Sequence, residues 1–159
     1  MSKIIITPLG TISPYTKGNM NCPGFLVEYN SKKILLDCGN GITRLLNFPN
    51  DLKDLNVIIT HYHKDHFGDL GALQYASYVY HNLGLLDKKI NIYLPKNDIG
   101  FNKASITSNN ESYSDYYDID NSCSFLIDDL DITFEDNNSH TIESYMVKLQ
   151  NKDFKIIYT

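Results

Sequence analysis

The segment VIITHYHKDH, residues 57–66, is the most informative stretch of this sequence. Its first four residues are all β-branched and predict a buried strand, 57–60, that ends directly at a polar loop. That loop holds His61, His63, Asp65 and His66 within six positions. A strand end fixes the backbone while the loop beyond it curls, so residues 61 and 63 can converge on one cation and residues 65 and 66 on a second. Imidazole and carboxylate groups suit zinc, iron and related divalent ions. The competing interpretation, a solvated polar loop, does not account for this spacing.

Short runs rich in Ile, Val, Phe and Tyr dominate the rest of the chain and predict a sheet protein with a few helices. The predicted strands are Ile4–Thr7, Phe25–Tyr29, Ile34–Asp37, Val57–Thr60, Ile90–Leu94, Ile132–Glu135, Tyr145–Leu149 and Phe154–Tyr158. Turn residues at 30–33 and 150–153 predict two hairpins. Apolar steps of three and four residues predict helices after Gly41 and over 70–83. Residues 97–121 are interpreted as a surface loop near the site or as a linker-like insertion.

Composition limits the classes of function. The chain has 159 residues and a formal net charge of −5, and its only arginine is Arg44. This length fits one globular domain, 1–159, with a single core. Strong non-specific binding to nucleic acid requires clustered cations, which an acidic chain does not favour. We therefore expect RNA to be a weaker candidate partner than a small molecule.

The apolar runs and the cysteines of the sequence predict where in the cell the protein is found. No stretch approaches the roughly 20 apolar residues that span a bilayer, and the first residues do not read as a signal peptide. We expect a cytoplasmic protein that does not enter the membrane. The three cysteines, Cys22, Cys38 and Cys123, form neither a CxxC pair nor a disulfide framework. They are predicted to be free thiols.

The motif HYHKDH resembles the His-x-His-x-Asp-His signature of the metallo-β-lactamase superfamily. Upstream, LGT (9–11), GFLV (24–27) and ILLDCGNG (34–41) resemble its opening strands and their terminal aspartate. Downstream, FGDLGAL (67–73) resembles the start of the following helix in the ribonuclease-Z-like group, which includes small bacterial members. The resemblance covers most of the chain. It implies an α/β (α+β) fold, the N-terminal portion of an αβ/βα sandwich, with a mixed β-sheet flanked by helices.

The resemblance also assigns roles to single residues. It implies that His61, His63 and His140 bind a first metal ion, and that Asp65 and His66 bind a second. His140 fits because it lies between two predicted strands, although a histidine in a polar loop is usually only solvated. Asp37 would hold the ligand loop by hydrogen bonds, or would simply be a turn residue. Zinc is the expected metal, with manganese or iron as alternatives. His81 has no place in the pattern and is expected on the surface or in packing.

The family pattern continues with an aspartate that bridges the metals and with a further histidine, both of which would follow Thr159. The sequence is therefore expected to be incomplete at its C-terminus, or to be a short gene product. An uncovered sheet face and open strand edges would lower its stability or promote association, for example as a homodimer. One well-bound metal ion is expected.

The implied function is that of a metallo-hydrolase whose nucleophile is a water activated by two metal ions, with Asp65 as the catalytic carboxylate. The ribonuclease-Z-like resemblance favours a phosphodiesterase acting on a small phosphodiester or a nucleotide, including a cyclic one. Alternatives are a glyoxalase-II-like hydrolase of esters, thioesters or lactones, and a catalytically defective fragment that only binds metal or another chain. Tyr113, Tyr116 and Tyr117 could stack on a base or could be surface residues.

Overall fold

A computed structural model describes residues 3–96 and 112–159, which form two β-sheets and two α-helices. The first sheet contains β1 (Ile4–Gly10), β2 (Gly24–Tyr29), β3 (Lys32–Leu36), β4 (Leu55–Ile58), β5 (Ile90–Pro95) and β6 (Ser114–Ile119). The second contains β7 (Ser124–Ile127), β8 (Leu130–Asp136), β9 (Tyr145–Gln150) and β10 (Lys155–Tyr158). The helices are α1 (Lys64–Phe67) and α2 (Leu70–Asn82). The α+β class predicted from the sequence is confirmed.

The first sheet is mixed, and its strands lie in chain order from β1 to β6. The strands β1, β2 and β3 pair antiparallel, whereas β3 to β6 run parallel. Every residue of β4 is buried, as expected for a central parallel strand covered on both faces. Because β3 and β4 are parallel, the residues that follow them, Asp37 and Thr60–His61, meet at one edge of the sheet.

Two apolar clusters hold the layers together. On one face of the first sheet, Leu70 and Leu73 of α2 pack into a cluster with Leu55 and Ile90. On its other face, the second sheet contributes residues such as Phe134 to a cluster that also contains Val27 and Ile34. The layers therefore run helix, mixed sheet, antiparallel sheet.

The inner strands of the second sheet, β8 and β9, alternate between buried positions and more exposed ones. In β8, Leu130, Ile132 and Phe134 are buried, whereas Asp131 and Glu135 are exposed. This alternation is typical of an antiparallel strand with one solvated face. No helix among the described residues packs on that outer face.

The predicted strands and the helix at 70–83 are confirmed, with small changes at their ends. The predicted strand 34–37 ends at Leu36, because Asp37 turns away with a φ of 58°. The hairpin at 30–33 is tighter than predicted, since Tyr29 already pairs with Lys32.

Two predictions of secondary structure are wrong. The helix expected after Gly41 is a single 3₁₀ turn, Thr43–Leu45. It cannot extend far, because Pro49 disfavours helical backbone in the residue before it. The loop expected at 97–121 contains β6, whose tyrosines form strand readily without an apolar alternation. The part of that loop at 97–111 lies outside the described residues. No helix in the described chain is long and apolar enough to cross a membrane.

Candidate metal centre

The candidate site is built where β4 ends and the loop before β9 returns to it. His61 forms an isolated antiparallel bridge with Ser144, and the Tyr145 amide donates to the carbonyl of Thr60 at 3.1 Å. This contact joins the two sheets beside the motif. It holds the loop 137–144, which carries His140, against the residues that follow β4.

Three histidines come together at this junction. The ligand nitrogens of His61, His63 and His140 all lie within 4.8 Å of one another, and His61 Nε2 is 3.1 Å from His63 Nδ1. Nitrogen ligands of one tetrahedral zinc ion lie about 3.3 Å apart, given Zn–N distances near 2.0 Å. His61 and His63 thus already have the spacing of a ligand pair, and His140 needs only a small approach. Without an ion the two nitrogens can share one proton in a hydrogen bond. A metal ion in place of that proton would be bound by both nitrogens, so this donor set fits a metal ion.

The other pair of the motif lies on the single turn of α1. Asp65 is 6% exposed, and its Oδ2 is 3.7 Å from His66 Nε2. The same oxygen accepts a hydrogen bond from Ser13 Oγ at 2.7 Å. Among the described residues these two side chains do not belong to the three-histidine cluster. Ser13 lies 52 positions from Asp65, and nothing in the sequence pointed to it.

Asp37 lies directly behind the motif and is completely buried. Its carboxylate accepts hydrogen bonds from His66 Nδ1 at 2.7 Å, from the Thr60 amide at 2.8 Å and from the Tyr158 hydroxyl at 2.8 Å. The Thr60 hydroxyl lies 3.0 Å from Oδ2. Asp37 therefore contacts one of the predicted ligands directly. Sequence reasoning passed over Thr60, although it immediately precedes His61, and it treated Tyr158 only as part of a strand.

The pKa values of His61 and His66 are shifted in opposite directions. Burial, together with the charge of the neighbouring His66, lowers the pKa of His61 to about 4. Burial also lowers the pKa of His66, but the hydrogen bond and charge of Asp37, with the charge of Asp65, raise it overall. At neutral pH His61 is therefore neutral, the form that binds metals.

Close packing fixes the motif to the end of β3. The Cys38 amide donates to the His66 carbonyl at 2.8 Å. A Cβ on Gly39 would lie 2.1 Å from the Asp65 carbonyl oxygen, so no larger side chain fits there. The Asp69 carboxylate accepts from the Gly41 and Thr43 amides at 3.0 Å each. The loop after β3 and the metal motif thus form one rigid unit.

The histidines open into a cavity of about 400 Å³. Its lining includes Ser13, Asp65 and the four histidines, and among the described lining residues Lys64 alone carries a permanent positive charge. A larger cavity of about 500 Å³ lies at the amino ends of the parallel strands. Its lysines form ion pairs with aspartates, including Lys89 with Asp115 at 2.8 Å.

The remaining residues singled out from the sequence pack elsewhere. His81 is exposed, and its ring stacks on that of Tyr113 with centroids 3.6 Å apart, in agreement with the expected surface or packing role. Tyr117 stacks on Tyr93, and Tyr116 contacts Gln74. These tyrosines are engaged within the protein instead of lining the histidine cavity. All three cysteines are free thiols, as predicted.

Comparisons with known proteins identify a family and several relatives. The sequence profile of one family, described as the anti-Pycsar protein Apyc1, matches residues 4–159. A ribonuclease Z from Saccharolobus solfataricus is 32% identical over 161 aligned positions, which cover 96% of this chain and 50% of that protein. The probable metallo-hydrolase YhfI of Bacillus subtilis is 30% identical over 89 positions, covering 55% of this chain and 36% of that protein.

A solved structure shows the same fold. The crystal structure of the metallo-β-lactamase fold protein YhfI from Bacillus subtilis superimposes with a TM-score of 0.80 at 23% identity, covering 98% of this chain and 61% of that chain. At that identity the likeness shows the fold alone. The chain spans about half or less of the length of the curated relatives described above.

Proposed function

We propose that this chain, which belongs to the anti-Pycsar protein Apyc1 family, acts as a metal-dependent phosphodiesterase. The proteins similar to it are named a metallo-hydrolase and a ribonuclease Z. The proposed substrate is a small phosphodiester or a nucleotide.

The observation that carries this proposal is the cluster of His61, His63 and His140, with ligand nitrogens within 4.8 Å of one another. These three residues would hold the first divalent ion, and Asp65 with His66 would contribute to a second. Zinc is the proposed metal because imidazole ligands dominate, with manganese or iron as alternatives. When bound, such an ion would supply Lewis acidity, which activates water and polarises a substrate oxygen.

Asp65 is the proposed catalytic residue. It is almost fully buried at the edge of the histidine cavity, and Ser13 holds its Oδ2 at 2.7 Å. A carboxylate fixed in this way can orient the attacking water and then pass its proton to the leaving group. Ser13 limits the rotation of the carboxylate and keeps it at the cavity.

The cavity favours a small anionic substrate. Its volume of about 400 Å³ falls in the usual range for small-molecule sites. The permanent charge of Lys64 attracts a phosphodiester more than a neutral ester. The net charge of −5 argues against a long polyanion such as RNA.

Turnover of bis(p-nitrophenyl) phosphate by the metal-loaded protein, measured beside lactone and thioester panels, tests the proposal. We expect the diester to be preferred and Asp65→Asn to lose most of that activity while keeping its fold by circular dichroism. A preference for the lactones or thioesters would replace the proposal with a glyoxalase-II-like activity. Bound metal without any turnover would leave a metal-binding module.

A further inference from the structure

The Thr60 hydroxyl lies between Asp37 and His61. Its Oγ1 is 3.0 Å from Asp37 Oδ2, 3.1 Å from Asp37 Oδ1 and 2.9 Å from His61 Nδ1. A hydroxyl has one proton to donate, and an ionised carboxylate can only accept. Thr60 therefore donates to Asp37, and His61 Nδ1 must be the donor to Thr60. This leaves the lone pair of His61 on Nε2, the atom that lies 3.1 Å from His63 Nδ1.

Asp37 acts on the second histidine without an intermediary. His66 Nδ1 donates to Asp37 Oδ2 at 2.7 Å, so its other nitrogen, Nε2, is turned toward Asp65. One buried carboxylate thus selects the tautomer of a predicted ligand in each of the two proposed metal sites.

Tyr158 fixes this carboxylate from the other sheet. Its hydroxyl donates to Asp37 Oδ2 at 2.8 Å, and its ring packs edge-on against Phe25 with centroids 5.4 Å apart. Burial raises the pKa of Tyr158, as do the charge and hydrogen bond of Asp37, so the hydroxyl remains a donor. With the Thr60 amide on Oδ1 and Tyr158 on Oδ2, the carboxylate cannot rotate away from either histidine.

We propose that Thr60 and Tyr158 are positioning residues. Thr60 connects Asp37 to His61 and sets the tautomer of that ring, and Tyr158 holds Asp37 in the orientation that sets the ring and tautomer of His66. Neither residue contacts a reacting group, and both hold the carboxylate that the two sites share. The inference rests on the proposed metal sites, but the tautomers can be read in the metal-free protein.

The first test is a two-bond ¹H–¹⁵N correlation spectrum of ¹⁵N-histidine-labelled protein, recorded with and without zinc. Neutral His61 is expected to carry its proton on Nδ1 in the wild type and in Thr60→Ser, and to lose this preference in Thr60→Val. Thr133→Val, on the outer face of the second sheet, is the matched control and is expected to leave the spectrum unchanged. A wild-type His61 with its proton on Nε2 would overturn the inference, even if Thr60→Val failed to fold.

The second test is the zinc affinity of Tyr158→Phe, measured by competition with a chromophoric chelator. The variant keeps the ring and removes the donor, and we expect affinity to fall about tenfold, as for other residues that support metal ligands from outside. Tyr29→Phe, whose hydroxyl contacts Asp129, is the matched control and is expected to bind zinc normally. An unchanged affinity in a folded Tyr158→Phe would exclude its positioning role. A wild type that binds no zinc would instead remove the proposed function, while the tautomer test would still decide the role of Thr60.

Discussion

The two ends of the parallel strands carry similar side chains in opposite settings. At the carboxyl ends, Asp37 is completely buried and bonded to Thr60, His66 and Tyr158. At the amino ends, the Asp54 side chain is 37% exposed and pairs with lysines at 3.1 and 3.5 Å. The larger cavity lies at the amino ends, yet the histidine cluster lies at the carboxyl ends.

Burial and orientation therefore distinguish these ends better than cavity size or the number of charges. Exposed ion pairs contribute little, because water screens them and solvates each partner well. A buried carboxylate that several donors hold has one orientation and can impose it on its neighbours. Parallel sheets commonly bind ligands beyond the carboxyl ends of their strands.

The largest effect is expected at the histidine cluster. His63→Ala removes one of three proposed ligands. We expect zinc affinity to fall on the order of a few hundredfold, equivalent to about a third of the roughly 10 kcal/mol typical of such sites. Competition with a chelator measures the change. His81→Ala, which alters a stacked histidine outside the cluster, serves as control. Equal losses of zinc affinity in the two variants would show that the three-histidine cluster is not the zinc site.

The next effect compares two aspartates of similar backbone conformation. Asp37 and Asp54 have φ values of 58° and 52°, which asparagine also tolerates, so Asp→Asn removes the charge at each without new backbone strain. We expect Asp37→Asn to lower the free energy of unfolding by about 3 kcal/mol, because an NH2 donor replaces one of the two acceptor oxygens and faces buried donors. Asp54→Asn should cost less than about 1 kcal/mol. Urea denaturation of the metal-free proteins measures the free energy of unfolding of each variant. Similar decreases in the two variants would show that the carboxyl and amino ends of the strands do not differ in this way.

A smaller effect is expected in the pH response of the metal-free protein. In the folded protein His61 has a pKa of about 4, whereas in the unfolded chain a histidine takes up its proton near pH 6.5. The contribution of His61 therefore lowers the free energy of unfolding as the pH falls from about 6.5 to 4. His66, with a raised pKa, acts in the opposite sense. It stabilises the folded state below pH 6.5, and that contribution is lost as pH rises through its folded pKa. Titration of the labelled histidines by NMR should show two separate midpoints, and a shared midpoint near 6.5 would contradict the assigned environments.

The smallest effect is expected at the rim of the cavity and rests on the proposed function. Lys64→Gln should raise the KM for bis(p-nitrophenyl) phosphate about fivefold, equivalent to roughly 1 kcal/mol, with little change in kcat. Lys88→Gln removes the same charge at the amino ends of the strands and should leave KM unchanged. Equal increases in both variants would indicate only a general effect of net charge.

The sequence predicted what depends on short spacing. The motif at 61–66 follows a buried strand, and both features can be recognised locally, so the fold and the position of the motif were predicted correctly. His140 was proposed from its place between two strands, and the bridge between His61 and Ser144 brings its loop to the motif. Its role as a ligand remains a prediction.

The parts that were missed depend on long-range contacts. Ser13 reaches Asp65 across 52 positions and Tyr158 reaches Asp37 across 121, and neither residue is unusual in its local sequence. The strand β6 was missed for another reason. It gains its order from parallel pairing with β5, not from an apolar alternation of its own.

The proposed ligand set draws on both sheets, since His61 and His63 follow β4 whereas His140 precedes β9. An ion held by all three binds the folded chain far better than the unfolded one, so mass action links folding to the concentration of free metal. At a hundred times its Kd the ion adds about 2.7 kcal/mol to stability. We therefore expect proteases to degrade the chain more slowly as the concentration of free metal ion rises.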